Sequence, residues 1–316
     1  MAAPIVANHR LRNALQSAVI IAGMMLILGW SAELLFGPGS FYYAAAGVAI
    51  VLLAAPRAAP RLILRMYRAQ PLDPRQLPEL ASLVAVLAQR AGLPRPPRLY
   101  YVPSRMLNAF AVGDRRDAAI AVTEGLLQTL NLRELAGVLA HEISHVRHGD
   151  MRVMALADTV SRLTSSLSLF GQLLILLNLP LFLTGAVTIS WVGLLLLVFA
   201  PTASALLQLA LSRTREFDAD AGAVELTGDP EGLASALAKL ERHQGGWLQR
   251  VLVPGRRNPD PSLLRTHPAT EERIRRLLAM RPGAPASGFP ATMPALPPGL
   301  PHSDGPPRRR RLGLWY

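Results

Sequence analysis

Apolar positions along this chain fall into two arrangements: long uncharged runs, and shorter stretches where apolar residues recur with helical or alternating spacing. Ala14 to Ala32 carries no charge, a length that matches the roughly 20 residues a helix needs to cross a hydrocarbon core. Leu34 to Pro56 is also uncharged; Gly37-Pro38-Gly39 marks a turn, which leaves Ser40 to Ala55 as a shorter second span. The longest run, Leu163 to Ser212, is about twice what one crossing requires, and Pro180 with Thr184-Gly185 offers a turn, so a helical hairpin is expected there. A buried core helix is the competing reading of such runs, but a core rarely supplies this many apolar residues in succession without a polar face.

Arginines give the spans a direction. Arg10 and Arg12 precede the first, Arg57, Arg61, Arg65 and Arg68 follow the second, and Arg162 and Arg213 bracket the hairpin, while both inter-helix turns lack basic residues. The positive-inside rule then puts both termini and the intervening polar sequence in the cytoplasm. The expected organisation is a transmembrane hairpin over 1–56, a first cytosolic block over 57–162, a second hairpin over 163–212, a second cytosolic block over 213–280 and a Pro/Arg-rich tail over 281–316. The two blocks form one domain interrupted by a membrane insertion. In the first, Pro78 to Ala91 has helical spacing, and Arg98 to Val102, Asn108 to Val112 and Ala118 to Val122 read as short strands. Asn131 and Glu134 form a capping-box pattern for a helix running to about His148. The second block reads as helical throughout, and the tail as a disordered or lipid-proximal linker.

Composition narrows the function classes. The chain is 51% hydrophobic with a net charge of +12, yet Lys239 is its only lysine. The arginines sit at membrane flanks and in the tail without interleaved aromatics, which argues against nucleic acid as a partner. No cysteine is present, so thiolate catalysis, thiolate metal sites and disulfides are excluded, and any metal must be held by His, Asp or Glu. The basic residues before the first apolar run resemble a secretory signal, but no cleavage site is convincing and further spans follow.

Three of the seven histidines fall in His141-Glu142-Ile143-Ser144-His145-Val146-Arg147-His148. On a helix, i and i+4 share a face, so both imidazoles can reach one ion, while Leu135, Leu139, Ile143 and Val146 form an apolar stripe on the other side. Glu142 can reach water at the ion without occupying a coordination position. A zinc ion so held lowers the pKa of water toward about 7 and polarises a carbonyl, the chemistry of a metallopeptidase. The bland reading is a surface helix that happens to carry two histidines. A catalytic zinc needs a third protein ligand. His148 is a turn too far to join easily, and Met151 stands where a metzincin would have its distal histidine. Downstream, Glu216 and Asp220 share a face of a polar helix that follows the last apolar run; the glutamate can ligate while the aspartate orients a ligand imidazole. An acidic, solvated face balanced by Arg213 and Arg215 is the alternative, and residue types alone leave the two open.

Taken in order, Asn108-Ala109-Phe110-Ala111, Val122-Thr123-Glu124-Gly125-Leu126-Leu127, HEISH with Gly149-Asp150-Met151, Ser212-Arg213 through Asp220, and His267-Pro268 with Arg273-Ile274 resemble the HtpX-type membrane metallopeptidases, related to the CAAX prenyl protease family. The resemblance implies a mostly α fold with a small β-sheet, an α+β zincin or gluzincin-like catalytic domain, carried by four transmembrane helices in two hairpins. It implies one zinc per chain on His141, His145 and Glu216, Asp220 as the partner behind a ligand, and Glu142 as base. Asn108, Ala109 and Phe110 would line the cleft and pair with a substrate backbone. His267 becomes a candidate for stabilising an oxyanion, although a helix-start role before Pro268 stays open, and Arg273 reads as an ion-pair partner. The implied activity is endoproteolysis of misfolded membrane proteins at the cytoplasmic face of a bacterial inner membrane. Two other functions compete. An intramembrane protease conflicts with the charges Arg133, Glu134, Arg147, Asp150 and Arg152 flanking the motif; a catalytically silent adaptor would need a closed fourth zinc position.

Overall fold

The computed structural model describes residues 3–54, 59–185, 191–243 and 270–280. The chain is mostly helical with one small sheet, and it divides into two compact units, one built from 1–56 and 152–214 and the other from 57–151 and 215–316.

The first unit contains α1 (Ala3–Phe36), α2 (Ser40–Ala54), most of α7 (Asp150–Leu177), α8 (Leu179–Leu183) and the first part of α9 (Trp191–Thr227). Among the described residues, three helices are long and apolar enough to cross a membrane: Leu15–Phe36, Asp150–Leu177 and Trp191–Thr227. Four crossings were expected; the fourth, α2, is described over 15 residues, where a full crossing takes roughly 20, and is not among these three. The expected turns lie where Gly37, Gly39 and Gly185 take positive φ values. Ser168 donates its hydroxyl to the Leu197 carbonyl between α7 and α9, and Phe36 stacks on Phe170. Large apolar side chains such as Leu176, Leu183, Trp191 and Val192 are exposed on this unit, as a lipid-facing surface requires.

The second unit holds α3 (Ala59–Met66), β1 (Gln70–Pro71), α4 (Pro78–Arg90), β2 (Arg98–Val102), β3 (Ala109–Gly113), β4 (Ala118–Thr123), α5 (Glu124–Thr129), α6 (Leu132–His148), α10 (Pro230–His243) and α11 (Thr270–Ala279). The sheet order is β1-β2-β4-β3, with β2 and β4 parallel and the outer pairs antiparallel. The three strands read from alternation are present; β1 adds a fourth of two residues, too short to leave a pattern. Thr123 finishes β4 and caps α5, so sheet and helix meet without a loop. β3 is an edge strand.

Helix α6 starts as its sequence predicts. Asn131 accepts from the Glu134 backbone N–H while the Glu134 carboxylate accepts from the Asn131 N–H, a complete capping box. Glu134 is otherwise buried, and Lys239 and Ser235 of α10 donate to it at 2.7 and 2.6 Å. Burial alone would raise the Glu134 pKa; these donors lower it below its ordinary value. Leu135, Leu139, Ile143 and Val146 are at most 1% exposed, within a core shared with α4, β3, β4 and α10. That buried stripe fixes the rotation of α6 and turns the histidines to the opposite side.

Candidate metal centre

His141 and His145 project from the last turns of α6 with their rings edge to face, 4.7 Å between centroids, and their Nε2 atoms 3.1 Å apart. Helix α9 continues from its apolar part without a break to Thr227 and carries Glu216 and Asp220 one turn apart. The Glu216 carboxylate reaches 3.4 Å from His141 Nε2 and 3.7 Å from His145 Nε2. Asp220 Oδ1 lies 3.0 Å from His141 Nδ1. The approach of α9 to α6 depends on Gly222, where an added Cβ would fall 2.5 Å from Ser144 Oγ. Among the described residues, His141, His145 and Glu216 form a group whose donor atoms lie within 4.8 Å of one another, and His148 is outside it.

Each imidazole has a carboxylate behind it. His145 Nδ1 is 2.8 Å from Asp150 Oδ2, and His141 Nδ1 faces Asp220, with Arg273 Nη2 further off at 3.4 Å. A carboxylate only accepts, so each Nδ1 carries a proton and the two Nε2 atoms face one another. At this distance they need a cation between them, either a proton on one ring or a metal ion held by both. Charge agrees: the carboxylates of Glu142, Asp150, Glu216 and Asp220 outnumber the guanidinium groups of Arg215 and Arg273 by two. The residues therefore fit a divalent ion that accepts imidazole nitrogen and carboxylate oxygen.

The same field acts on protons. Burial is the largest influence on His141 and lowers its pKa, but hydrogen bonding with Asp220 and Glu216 outweighs it and pushes the pKa up to about 10. His145 is raised likewise, with burial opposed by Asp150. Arg273, 5% exposed, donates Nε and Nη2 to the two Asp220 oxygens at 2.8 and 2.6 Å and lies 3.0 Å from Glu216 through Nη1. Burial works against its charge most strongly, yet these carboxylates hold it more firmly protonated than usual. Surroundings that hold a proton this tightly also favour a metal cation.

Glu142 points toward the sheet, and its Oε2 accepts from the Ala111 N–H at 3.0 Å. Asn108 exchanges hydrogen bonds with Thr123, donating its N–H to Oγ1 and accepting from the N–H. Asn108 thus faces β4, and Ala109 and Ala111, one and three residues on, turn their backbone groups to the open edge. The Phe110 side chain is buried under α3, its ring 4.9 Å from that of Tyr67. His267 lies outside the described residues.

Sequence reasoning missed Asp150 and Arg215 as parts of the centre. Asp150 stands in the sequence reading as a motif residue after HEISH and as a flanking charge, with no role at the centre. The signal was present in Gly149, which ends α6 in the left-handed region at φ 70° and lets the next residue fold back under the helix.

Residues 74–281 match peptidase family M48. A protease HtpX homolog of Methylibium petroleiphilum is 37% identical over 245 residues, covering 70% of this chain and 81% of that protein. The protease HtpX homolog of Paraburkholderia phytofirmans is 38% identical over 238 residues, covering 70% and 80%. Among solved structures, that of S. mikatae Ste24p is similar with a TM-score of 0.49 and 22% identity, over 85% of this chain and 65% of that one. With the family match spanning well over half the sequence, the relatives covering most of their own length and apolar helices suited to a bilayer, the chain belongs to peptidase family M48 and is a membrane-associated metalloprotease.

Proposed function

We propose that this chain binds one zinc ion through His141, His145 and Glu216, with Asp220 orienting His141, and hydrolyses peptide bonds in misfolded membrane proteins. The observation that supports it best is the convergence of two inward-facing Nε2 atoms and the Glu216 carboxylate within 4.8 Å, beside Glu142. Zinc bound there would activate water and polarise the substrate carbonyl. Glu142 takes the proton from the attacking water and passes it to the leaving nitrogen. The Ala111 N–H holds the Glu142 carboxylate at the strand edge. A substrate strand adds along β3 beside Asn108, Ala109 and Phe110, using backbone hydrogen bonds that suit broad specificity. His267 donates to the oxyanion.

In this reading the catalytic domain is zincin-like and cytosolic, split over 57–162 and 213–280 by the hairpin 163–212. Four helices in two hairpins span a bacterial inner membrane, α2 crossing with the help of local thinning, and the residues 281–316 form a tail. The arginine distribution supports the orientation. The test is hydrolysis of a casein-like substrate by the detergent-purified, zinc-loaded protein. Glu142→Gln is expected to lower kcat at least ~100-fold with zinc still bound; equal activity in the two proteins rejects the mechanism.

A further inference from the structure

The carboxylate behind His145 is Asp150, the first residue of α7, and it is 2% exposed. Its two oxygens have different partners. Oδ2 meets His145 Nδ1 at 2.8 Å and Oδ1 meets Arg215 Nη1 at 3.2 Å. Arg215, whose side chain is 13% exposed, directly precedes Glu216 on α9. One buried carboxylate thereby touches a histidine of the metal group and the residue next to the glutamate of that group, across 65 positions of sequence.

We infer that Asp150 is a positioning residue of the metal centre, holding the His145 ring in the tautomer and rotation that aim Nε2 at the ion, with Arg215 fixing the carboxylate in turn. This rests on the proposed ligand set of His141, His145 and Glu216. Three observations carry it. The contact is to the ring nitrogen that faces away from the donor group, where an acceptor dictates which nitrogen keeps its lone pair. The Gly149 cap at φ 70° is what brings a residue five positions after His145 beneath that ring; a continued helix would carry position 150 past it. The arrangement also repeats on the other side, since His141 backs onto Asp220, which Arg273 grips. Each imidazole is thus followed by a carboxylate and then a guanidinium. The two chains differ in origin: Asp220 and Glu216 share one helix, whereas Asp150 and Arg215 stand on α7 and α9, the two helices that leave and re-enter this unit. Asp150 therefore ties the angle of one ligand to the position of the segment that carries another.

Zinc affinity of the full-length protein in detergent, measured by competition with a chromophoric chelator starting from metal-free protein, tests this. Asp150→Ala should bind zinc ~10–100-fold more weakly, the usual effect of losing a partner behind a ligand imidazole. Asp150→Asn should fall between it and the wild type, because its single carbonyl oxygen can serve His145 or Arg215 but not both. Arg215→Met, which keeps the His145 contact, should lose only a few-fold. A purely architectural role would lower the melting temperature of these variants while the folded protein kept wild-type affinity, and that result overturns the inference. If Asp150→Ala does not fold, wild-type affinity in Asp150→Asn overturns it equally. His145→Ala separates the two levels. Zinc retained at wild-type affinity in His145→Ala rejects the ligand set itself; zinc lost there but kept by the Asp150 variants rejects only the positioning role.

Discussion

Arg273 sits where charges are least able to look after themselves. It comes from α11, is buried, and grips Asp220 while touching Glu216. Removing one partner of a buried ion pair leaves an uncompensated charge and costs on the order of 3–5 kcal/mol. Arg273→Met should therefore lower the stability of the metal-free protein by about that much in denaturant titration. The zinc-loaded form should lose less, because the ion supplies part of the missing positive charge; an equal loss in both forms would show that the guanidinium does not compensate the centre. At this scale the sequence was legible where helical spacing alone sets geometry. Spacing puts His141 and His145 on one face of a helix with Glu142 beside the first, and Glu216 and Asp220 on one face of another; that Glu216 joins the histidines was what the family resemblance implied, since spacing left a solvated acidic face equally open. What escaped was contact that crosses an element boundary: Asp150 lies beyond a left-handed glycine, and Arg215 meets it from another helix. Periodicity carries no information about either.

Among the elements, α6 is the one whose position decides most. Its phase was legible because its apolar stripe and capping box act within a single helix, and both are observed. Its distance from its neighbours was not, since that is set by residues without side chains. An added Cβ at Gly137 would lie 2.9 Å from the backbone N and Cα of Leu233 in α10, atoms that cannot swing aside. Gly137→Ala should push α6 and α10 apart and destabilise the protein by ~1–3 kcal/mol, read as a lower denaturation midpoint; an unchanged midpoint would mean that α10 yields freely. The element that sequence reading missed is a short one. β1 has two residues and leaves no alternation to read, whereas α2, described over Ser40–Ala54, follows the shorter apolar span expected there.

For the molecule as a whole, the sequence separated apolar helices from a polar unit with a small sheet, and both are present. It also expected the residues before and after the long apolar run to form one domain, without naming the contacts between them. In the structure they meet at the candidate metal centre, through α6, the start of α7 and the end of α9. Replacing 163–212 with a flexible linker should therefore weaken zinc binding, even though closing a loop of that size costs little more than closing a short one. The reason is loss of helical stems that hold Asp150 and Glu216 in place. Chelator competition on the deletion protein checks it, and wild-type affinity would show that the polar unit assembles its site unaided. The contact between Lys239 and Glu134 has a consequence of another kind. Since no other lysine exists in the sequence, an amine-acylating reagent has one side-chain address on this protein, and that amine is engaged at the start of the helix bearing the histidines. Its rate of modification is a native chemical gauge of whether that end of the helix is closed, with no label to introduce.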